Sequence, residues 1–565
     1  MYAPDKRQEY VSSQPPDSSE YYDTVKEQYM VTDLPVSKES DDPIAAKYGD
    51  VKRGLKSRHV QLIALGGCIG TGLFVGSGTI LSNSGPASLL IAYLVMSFII
   101  WVVMNALGEM TTYLPLHGVS PTRFVLRFAD ESLGFATGWN YWYAYAFLVP
   151  TEITAAAVVV EYWTDAVPTA GWIAIILVSL VALNMTVVGA FGEAEFWFAS
   201  IKIITIMGLL ILGVVLFFGG GPNHDRLGFR YWKNGQAFQE YLVPGAAGRF
   251  CGVWNAIVRA GFSFITSPEL ICLSGGESEA PRRNIPKAAR RFIYRLMVFY
   301  IGGALVIGVT VAATDPRLLS AINSGSEDAA ASPFVIGITN AGIPVLNHIV
   351  NAAILTSAWS AGNSFLFAGS RTLFSLARDG YAPKVFMYCT RFGVPYVAVL
   401  FTAAIACLAF LNVSSSSANV FTWFTNISTV SGFISWVAVL IAYLRFRKAM
   451  IYNGILDTLP YRTAGQPWTT WIVMILVAII TLTNGFTVFV GGSFTGADFV
   501  AAYITLPLFF ALYVAHRIYA RNWRPLIPIE EVDVVTGLDI VENTERMYPE
   551  RIPKNFLQRV WFWIA

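Results

Sequence analysis

Gln61-Leu-Ile-Ala-Leu-Gly-Gly-Cys-Ile-Gly-Thr-Gly-Leu-Phe-Val-Gly-Ser-Gly78 is apolar enough to enter a bilayer, yet Gly66, Gly67, Gly70, Gly72, Gly76 and Gly78 make it a poor uninterrupted helix. In lipid, non-helical backbone persists only where protein buries it or where it lines a cavity. The stretch therefore predicts a broken span. Its freed N–H groups, at the positive end of a half-helix, form a receptor for a carboxylate. That pattern points to a transporter.

Composition puts the rest of the chain in the membrane too. Of 565 residues, 55% are apolar and 13% charged, and the mean hydropathy is +0.52; a soluble domain carries about 25% charge. The net charge of +2 says little, because the placement of charge matters more than its sum. Cys68, Cys251, Cys272, Cys389 and Cys407 are scattered without metal-ligand spacing and predict no disulfide framework. Residues 1–59 are polar, lack apolar periodicity and read as a disordered tail without a cleavable signal. Residues 60–520 form the transmembrane domain and 521–565 a second tail, whose end, from Lys554 to Ala565, mixes basic and aromatic residues as an interfacial helix does.

A window of about 19 residues finds roughly twelve spans. They fall near 60–83, 87–112, 134–163, 170–190, 195–218, 252–275, 292–313, 343–370, 395–411, 417–444, 468–490 and 497–519. The ninth is short, and the eighth is unusually polar, with Asn347, His348, Asn351 and Asn363. Basic residues gather after spans two, six, eight and ten, at Arg123 and Arg127, Arg282 to Arg291, Arg371 to Arg391, and Arg445 to Arg462. By the positive-inside rule these loops are cytoplasmic, and an even number of spans puts both tails on that side.

Span six carries a second interruption, Val258-Arg-Ala-Gly-Phe-Ser-Phe-Ile-Thr-Ser-Pro-Glu-Leu270. Pro268 lacks an N–H and clashes with the preceding turn, so Ile265-Thr266-Ser267 is predicted to unwind. Broken spans one and six, five apart, are the pattern of a 5+5 inverted repeat in an all-α polytopic fold, where both breaks meet near the midplane. The competing reading is a proline kink beside a glycine-rich packing face. A zwitterionic amino acid suits the first arrangement. N–H groups of Gly70, Thr71 and Gly72 take its carboxylate, and carbonyls near Phe264 and Ile265, beside Thr266, take its ammonium. Phe262 and Phe264, flanking Ser263, cover its side chain.

An ionisable group at mid-span costs roughly 3 kcal/mol and normally marks a pathway or a pair. Glu152 sits beside Pro150 in span three, Lys202 lies inside span five, and Glu269 follows the span-six break. These three are the candidates for proton coupling, and Glu152 also for the substrate amine; a buried pair that merely holds helices together is the alternative. Arg259 precedes the break, and Glu109 reads as interfacial. Span ten adds Phe424, Thr425 and Asn426 as candidate lining, with helix–helix contact as the other reading of Asn426. No metal-spaced cluster, nucleophile elbow or Walker loop occurs. Neither an enzyme nor a metal or cofactor site is expected, nor a nucleic-acid partner.

At these residues the chain resembles fungal amino-acid permeases of the amino acid–polyamine–organocation superfamily, over roughly residues 50–525. The resemblance rests on Gly70-Thr-Gly-Leu-Phe-Val-Gly-Ser-Gly78, Gly108-Glu-Met-Thr-Thr-Tyr-Leu-Pro115 and Ser263-Phe-Ile-Thr-Ser-Pro-Glu-Leu270. It extends through Gly276-Glu-Ser-Glu-Ala-Pro-Arg-Arg-Asn-Ile-Pro-Lys287 and Ser370-Arg-Thr-Leu-Phe-Ser-Leu-Ala-Arg-Asp-Gly380. It implies proton-coupled uptake across the plasma membrane, with Lys202 where related transporters replace a sodium ion. Span six looks most like proline-type permeases, which implies L-proline and other small neutral amino acids as substrates. In the first tail Lys6, Lys26, Lys38 and Lys47 sit among Ser and acidic residues, which suits a regulatory modification by adaptors of the ubiquitin machinery, with a merely solubilising tail as the other reading. A broader-range permease and a membrane sensor that binds amino acids without concentrating them remain alternatives.

Overall fold

The computed structural model describes residues 47–48, 62, 69–115, 121–164, 166–276, 281–323, 332–413, 417–490, 494–538, 541–542, 545 and 555. Gly66, Gly67, the first tail up to 46 and the basic–aromatic end of the second tail, residue 555 apart, lie outside them. Helices stand at every expected span, and no strand occurs among the described residues. Span one comprises Gly72–Gly76 and Ser77–Ser84, and span six comprises Gly245–Ala260, Gly261–Ser263 and Ser267–Gly276. Spans two to five are Pro86–Tyr113, Glu131–Glu161, Thr169–Asn184 and Val188–Phe217. Spans seven to ten are Pro281–Thr310, Leu346–Arg378, Tyr396–Ala406 with Cys407–Val413, and Ser417–Tyr452. Span eleven is Trp468–Leu482, and span twelve is the bent pair Gly496–Tyr503 and Thr505–Ala520.

Several helices outrun their apolar windows. Span seven begins at Pro281 rather than 292, and span five at Val188 rather than 195. Hydropathy measures the length of chain that tolerates hydrocarbon, whereas a helix continues until its hydrogen-bond ladder stops. Local chemistry sets the ends. Gly85, at a φ of +85°, turns the chain between spans one and two, and Pro86 then opens span two, where a missing N–H costs nothing. Asp130 caps span three by accepting from the Leu133 N–H at 2.8 Å.

Packing reveals the repeat. Spans two and seven pack together, as do three and eight, and the breaks of one and six touch. In each pair the members stand five spans apart. The contact of span five with seven is matched by that of ten with two, and five with eight by ten with three. A set of contacts that maps onto itself under a shift of five is what a pseudo-two-fold axis requires. Because five is odd, the second half runs through the membrane in the opposite sense. Large apolar side chains left exposed, such as Ile204, Ile211, Ile472, Ile475 and Phe510, lie on the outer spans five, eleven and twelve. That shell faces lipid, and the polar span eight is enclosed against span three.

Burial at Glu109 differs from expectation. Glu109, read as interfacial, is fully buried. It accepts from Tyr443 at 2.7 Å, from Arg447 at 3.2 Å and from the Thr463 N–H at 2.7 Å, tying span two to span ten. The second tail packs back over its first part. Arg127 binds the Asp533 carbonyl at 2.6 Å, the Ile527 N–H meets the Ala129 carbonyl at 3.0 Å, and Val532, Val534 and Leu538 are buried.

Removing one member of a buried ion pair strands the other's charge and costs about 3–5 kcal/mol. Arg447→Met is expected to lower the thermal midpoint of detergent-solubilised protein markedly. The double change Glu109→Gln with Arg447→Met recovers much of that loss, a non-additivity that the same thermal assay reads directly.

Candidate functional site

Ile69 and Gly70 are bent backbone, and helix resumes at Thr71. The donors at the start of a helix lack partners within it, so the N–H groups of this stretch point out of its end. Opposite lies the span-six break. Phe264 to Thr266 leave the helical path, with Thr266 in the left-handed region at a φ of +64°, which is uncommon for a β-branched residue. Side-chain hydroxyls stabilise the loosened carbonyls. Ser357 donates to Ile69 O at 2.6 Å, Tyr300 to Ser263 O at 2.8 Å, Ser267 to Phe264 O at 2.7 Å and Thr266 to Ile265 O at 2.6 Å.

The two breaks meet at Gly72. A Cβ there would lie 2.7 Å from Ser263 Oγ and 2.8 Å from Ser263 Cα, so only glycine lets the chains approach this closely. Gly70 abuts Glu152 and Ala361, where an added Cβ would stand 3.0 Å from Glu152 Oε1. Between the breaks lies a narrow cavity lined by Gly70, Gly72, Leu148, Glu152, Phe262, Ser263, Ile265 and Phe365. Thr71 donates to Glu152 Oε1 at 3.0 Å, while Oε2 is buried without a hydrogen-bond partner. A carboxylate with one oxygen engaged and one open, in a wall of glycine and apolar side chains, is a receptor for a cationic N–H group.

Of the predicted residues, Gly70, Gly72, Glu152, Phe262, Ser263 and Ile265 line the cavity and Thr71 bonds to Glu152, whereas Phe264, Thr266, Phe424, Lys202 and Glu269 lie outside the lining. Phe264 is clamped between Tyr93 and Tyr300, with centroid distances of 5.6 and 4.5 Å, away from the cavity lining. Phe424 packs on Phe147 at 5.6 Å, and the span-ten ring against Phe262 is Phe421, at 5.7 Å. Glu269 sits behind the break, where its Oε1 accepts from Tyr141 at 3.0 Å and from Trp436 at 2.7 Å, joining spans three, six and ten. Arg259 is turned to Asn255, at 3.3 Å. Lys202 is buried within electrostatic reach of Glu152 and also of Glu195, a fully buried carboxylate that hydropathy left at the edge of span five. Its partners are Ser360 and Asn363, which explains the polarity of span eight. Phe365 and Leu148 were also missed, since nothing in a sequence separates a cavity-lining apolar residue from a packed one.

Residues 59–529 match the family model described as amino acid permease. The chain belongs to the amino acid permease family. It is 62% identical to the "Probable proline-specific permease" of Schizosaccharomyces pombe, over 96% of this chain and 99% of that one. It is 53% identical to a proline-specific permease of Saccharomyces cerevisiae, over 89% of this chain and 81% of the relative. Among solved structures, a manganese transporter of Eremococcus coleocola shares the fold, with a TM-score of 0.53 at 14% identity over 82% of this chain and 93% of the other. The permease is thus an all-α, multi-pass membrane protein with the inverted-repeat core derived above.

Gly72→Ala inserts a methyl group where the breaks touch and is expected to raise the KM for the transported amino acid about tenfold, equivalent to about 1.4 kcal/mol. Gly76→Ala, whose nearest neighbour stands 4.0 Å off, leaves KM within about twofold. Uptake kinetics normalised to surface protein separate the two.

Proposed function

We propose that this permease imports L-proline, and other small neutral amino acids less well, by proton symport across the plasma membrane, with both termini cytoplasmic. The observation that carries the reading is the half-open carboxylate of Glu152 facing the helix start at Gly70–Gly72 across a small, largely apolar cavity. Proline matches such a wall. Its carboxylate suits the first N–H groups of span one, its ring suits Phe262, Ile265, Leu148 and Phe365, and its secondary ammonium suits Glu152 Oε2. The proline-specific names of relatives at 62% and 53% identity support this choice of substrate. A relative at 40% identity is a dicarboxylic amino acid permease, so the substrate is set by details that the family shares only in part.

Proton coupling is assigned to Glu152, Lys202 and Glu269. A proton taken up near the cavity cancels buried negative charge, and the loaded state then crosses the barrier at lower electrostatic cost. The basic loops support cytoplasmic tails, and lysines of the first tail suit ubiquitin-machinery adaptors.

Radiolabelled proline uptake in a permease-deficient yeast tests the proposal. Accumulation against a gradient, stronger at pH 5 than at pH 7.5 and abolished by a protonophore, is expected. Binding without accumulation would favour the sensor. Glu152→Gln is expected to lower uptake at least tenfold with normal surface delivery, and Lys202→Ala to abolish accumulation. Undiminished, pH-dependent gradients in both variants would remove them from the mechanism.

A further inference from the structure

Glu195 is the buried carboxylate that the mechanism above leaves unused. It lies seven residues before Lys202 on span five, two helical turns away on the same face. Hydrogen bonding defines its state. Asn184 Nδ2 donates to the Leu180 carbonyl at 3.0 Å, which fixes the orientation of that amide, since a carbonyl can only accept. The same Nδ2 reaches Asn363 Oδ1 at 2.7 Å, so Asn363 must turn its own NH₂ to Glu195 Oε1, at 2.6 Å. Ser360 donates to the other oxygen at 2.8 Å. Oε1 can only accept from that NH₂, and with Ser360 donating to the other oxygen the surroundings suit an ionised carboxylate.

The charge count then matters. Lys202 lies within reach of two carboxylates, Glu195 and Glu152, all three buried. Glu193, two residues from Glu195, lies about 200° round the helix and is half-buried, and Arg371, on the facing span eight, stacks on Phe367 at 4.2 Å. The donors described on the two Glu195 oxygens are Ser360 and Asn363. With all three groups ionised the cluster holds one uncompensated negative charge, which a buried site tolerates poorly. A single proton relieves it. Glu195 has both oxygens engaged by donors, whereas Glu152, in the cavity wall, has one oxygen without a hydrogen-bond partner.

We infer that Glu195 is the fixed counter-ion of Lys202, a positioning residue that leaves Glu152 free to accept the transported proton. The inference rests on the symport reading above. Once protonated, Glu152 still offers a carbonyl oxygen to the substrate N–H, so proton and proline occupy the site together. Without the charge of Glu195, the attraction of Lys202 for Glu152 is no longer shared with a second carboxylate and holds Glu152 ionised more firmly, so more acid is needed to load the proton.

The test is the pH profile of radiolabelled proline uptake in the intact permease. Glu195→Gln is expected to move the half-activation pH about one unit toward acid, a tenfold change in proton requirement, with KM for proline little altered at saturating acidity. Glu195→Asp, which keeps the charge, restores the wild-type profile. If Glu195→Gln fails to reach the surface, Ser360→Ala and Asn363→Ala, which each remove one donor, shift the profile in the same direction by less. A wild-type profile with only a lower maximal rate in these variants would make Glu195 a structural brace, as would equal shifts in Glu195→Gln and Glu195→Asp. A wild-type permease indifferent to pH would instead overturn the symport reading itself.

Discussion

The close approach of Gly72 to Ser263 is the contact on which the rest of this permease depends. Breaking a helix inside lipid releases backbone groups that water cannot reach, and each unsatisfied group costs several kcal/mol. Two breaks are therefore tolerable only if neighbouring spans meet their needs. Hydroxyls of Tyr300, Ser357, Ser267 and Thr266 do so for the carbonyls at Ser263, Ile69, Phe264 and Ile265. What remains is directional polarity facing a cavity too small for bulk water. The same feature that would be a folding liability elsewhere thus leaves a helix start and an unpartnered carboxylate oxygen of opposite sign at one cavity, the polarity that the proposed zwitterion would meet.

Charge placement follows from that geometry. Glu152 reaches Thr71 from span three, so the carboxylate is part of the first break rather than a distant neighbour. Lys202 approaches from span five, and span eight encloses Glu195 with Ser360 and Asn363. Polar side chains on span eight, costly when facing lipid, lie inside the protein here, and their number reflects the buried carboxylate they hold. Elsewhere the same logic yields scaffolding: Glu109 with Arg447, at 3.2 Å, and Asp130 with Arg517, at 3.0 Å, are buried ion pairs that join elements away from the cavity.

Much of this was legible in the residues. The glycine run of span one and Pro268 in span six located both breaks, because backbone permissiveness and a missing N–H act locally and need no tertiary knowledge. Hydropathy located every span but not its ends, as Val188 and Pro281 show. That error hid Glu195, which belongs well inside a helix whose apolar window begins at its own position. Phe262 and Phe264, two residues apart, were indistinguishable on paper; the left-handed turn at Thr266 and the Tyr93–Tyr300 clamp send one to the cavity and the other to the core. Which ring of span ten nears the site, Phe421 or Phe424, depends on helix rotation, and sequence spacing does not set that.

The bonding around the breaks also divides the molecule. Tyr93 and Tyr300 stand on spans two and seven, which the repeat relates to each other, with rings 5.8 Å apart. Both hydroxyls end at Ser263, one at its Oγ at 3.2 Å and one at its carbonyl. The Tyr93 hydroxyl also reaches Gly72 O at 3.5 Å, so spans one, two, six and seven meet through hydrogen bonds at a single point. Toward spans three and eight the boundary is different: Gly70 rests on Ala361, and the bonds crossing it at the breaks are Thr71 to Glu152, Ser357 to Ile69 and, behind the second break, Tyr141 to Glu269. A surface of small side chains crossed by few polar bonds is suited to sliding, whereas the tyrosine-bonded group is suited to moving as one body. Glu152 lies on that boundary. On the proposed reading, a proton or an ammonium at that carboxylate would act on the Thr71–Glu152 bond between the two groups of spans, which is how occupancy of the site would bear on their relative position.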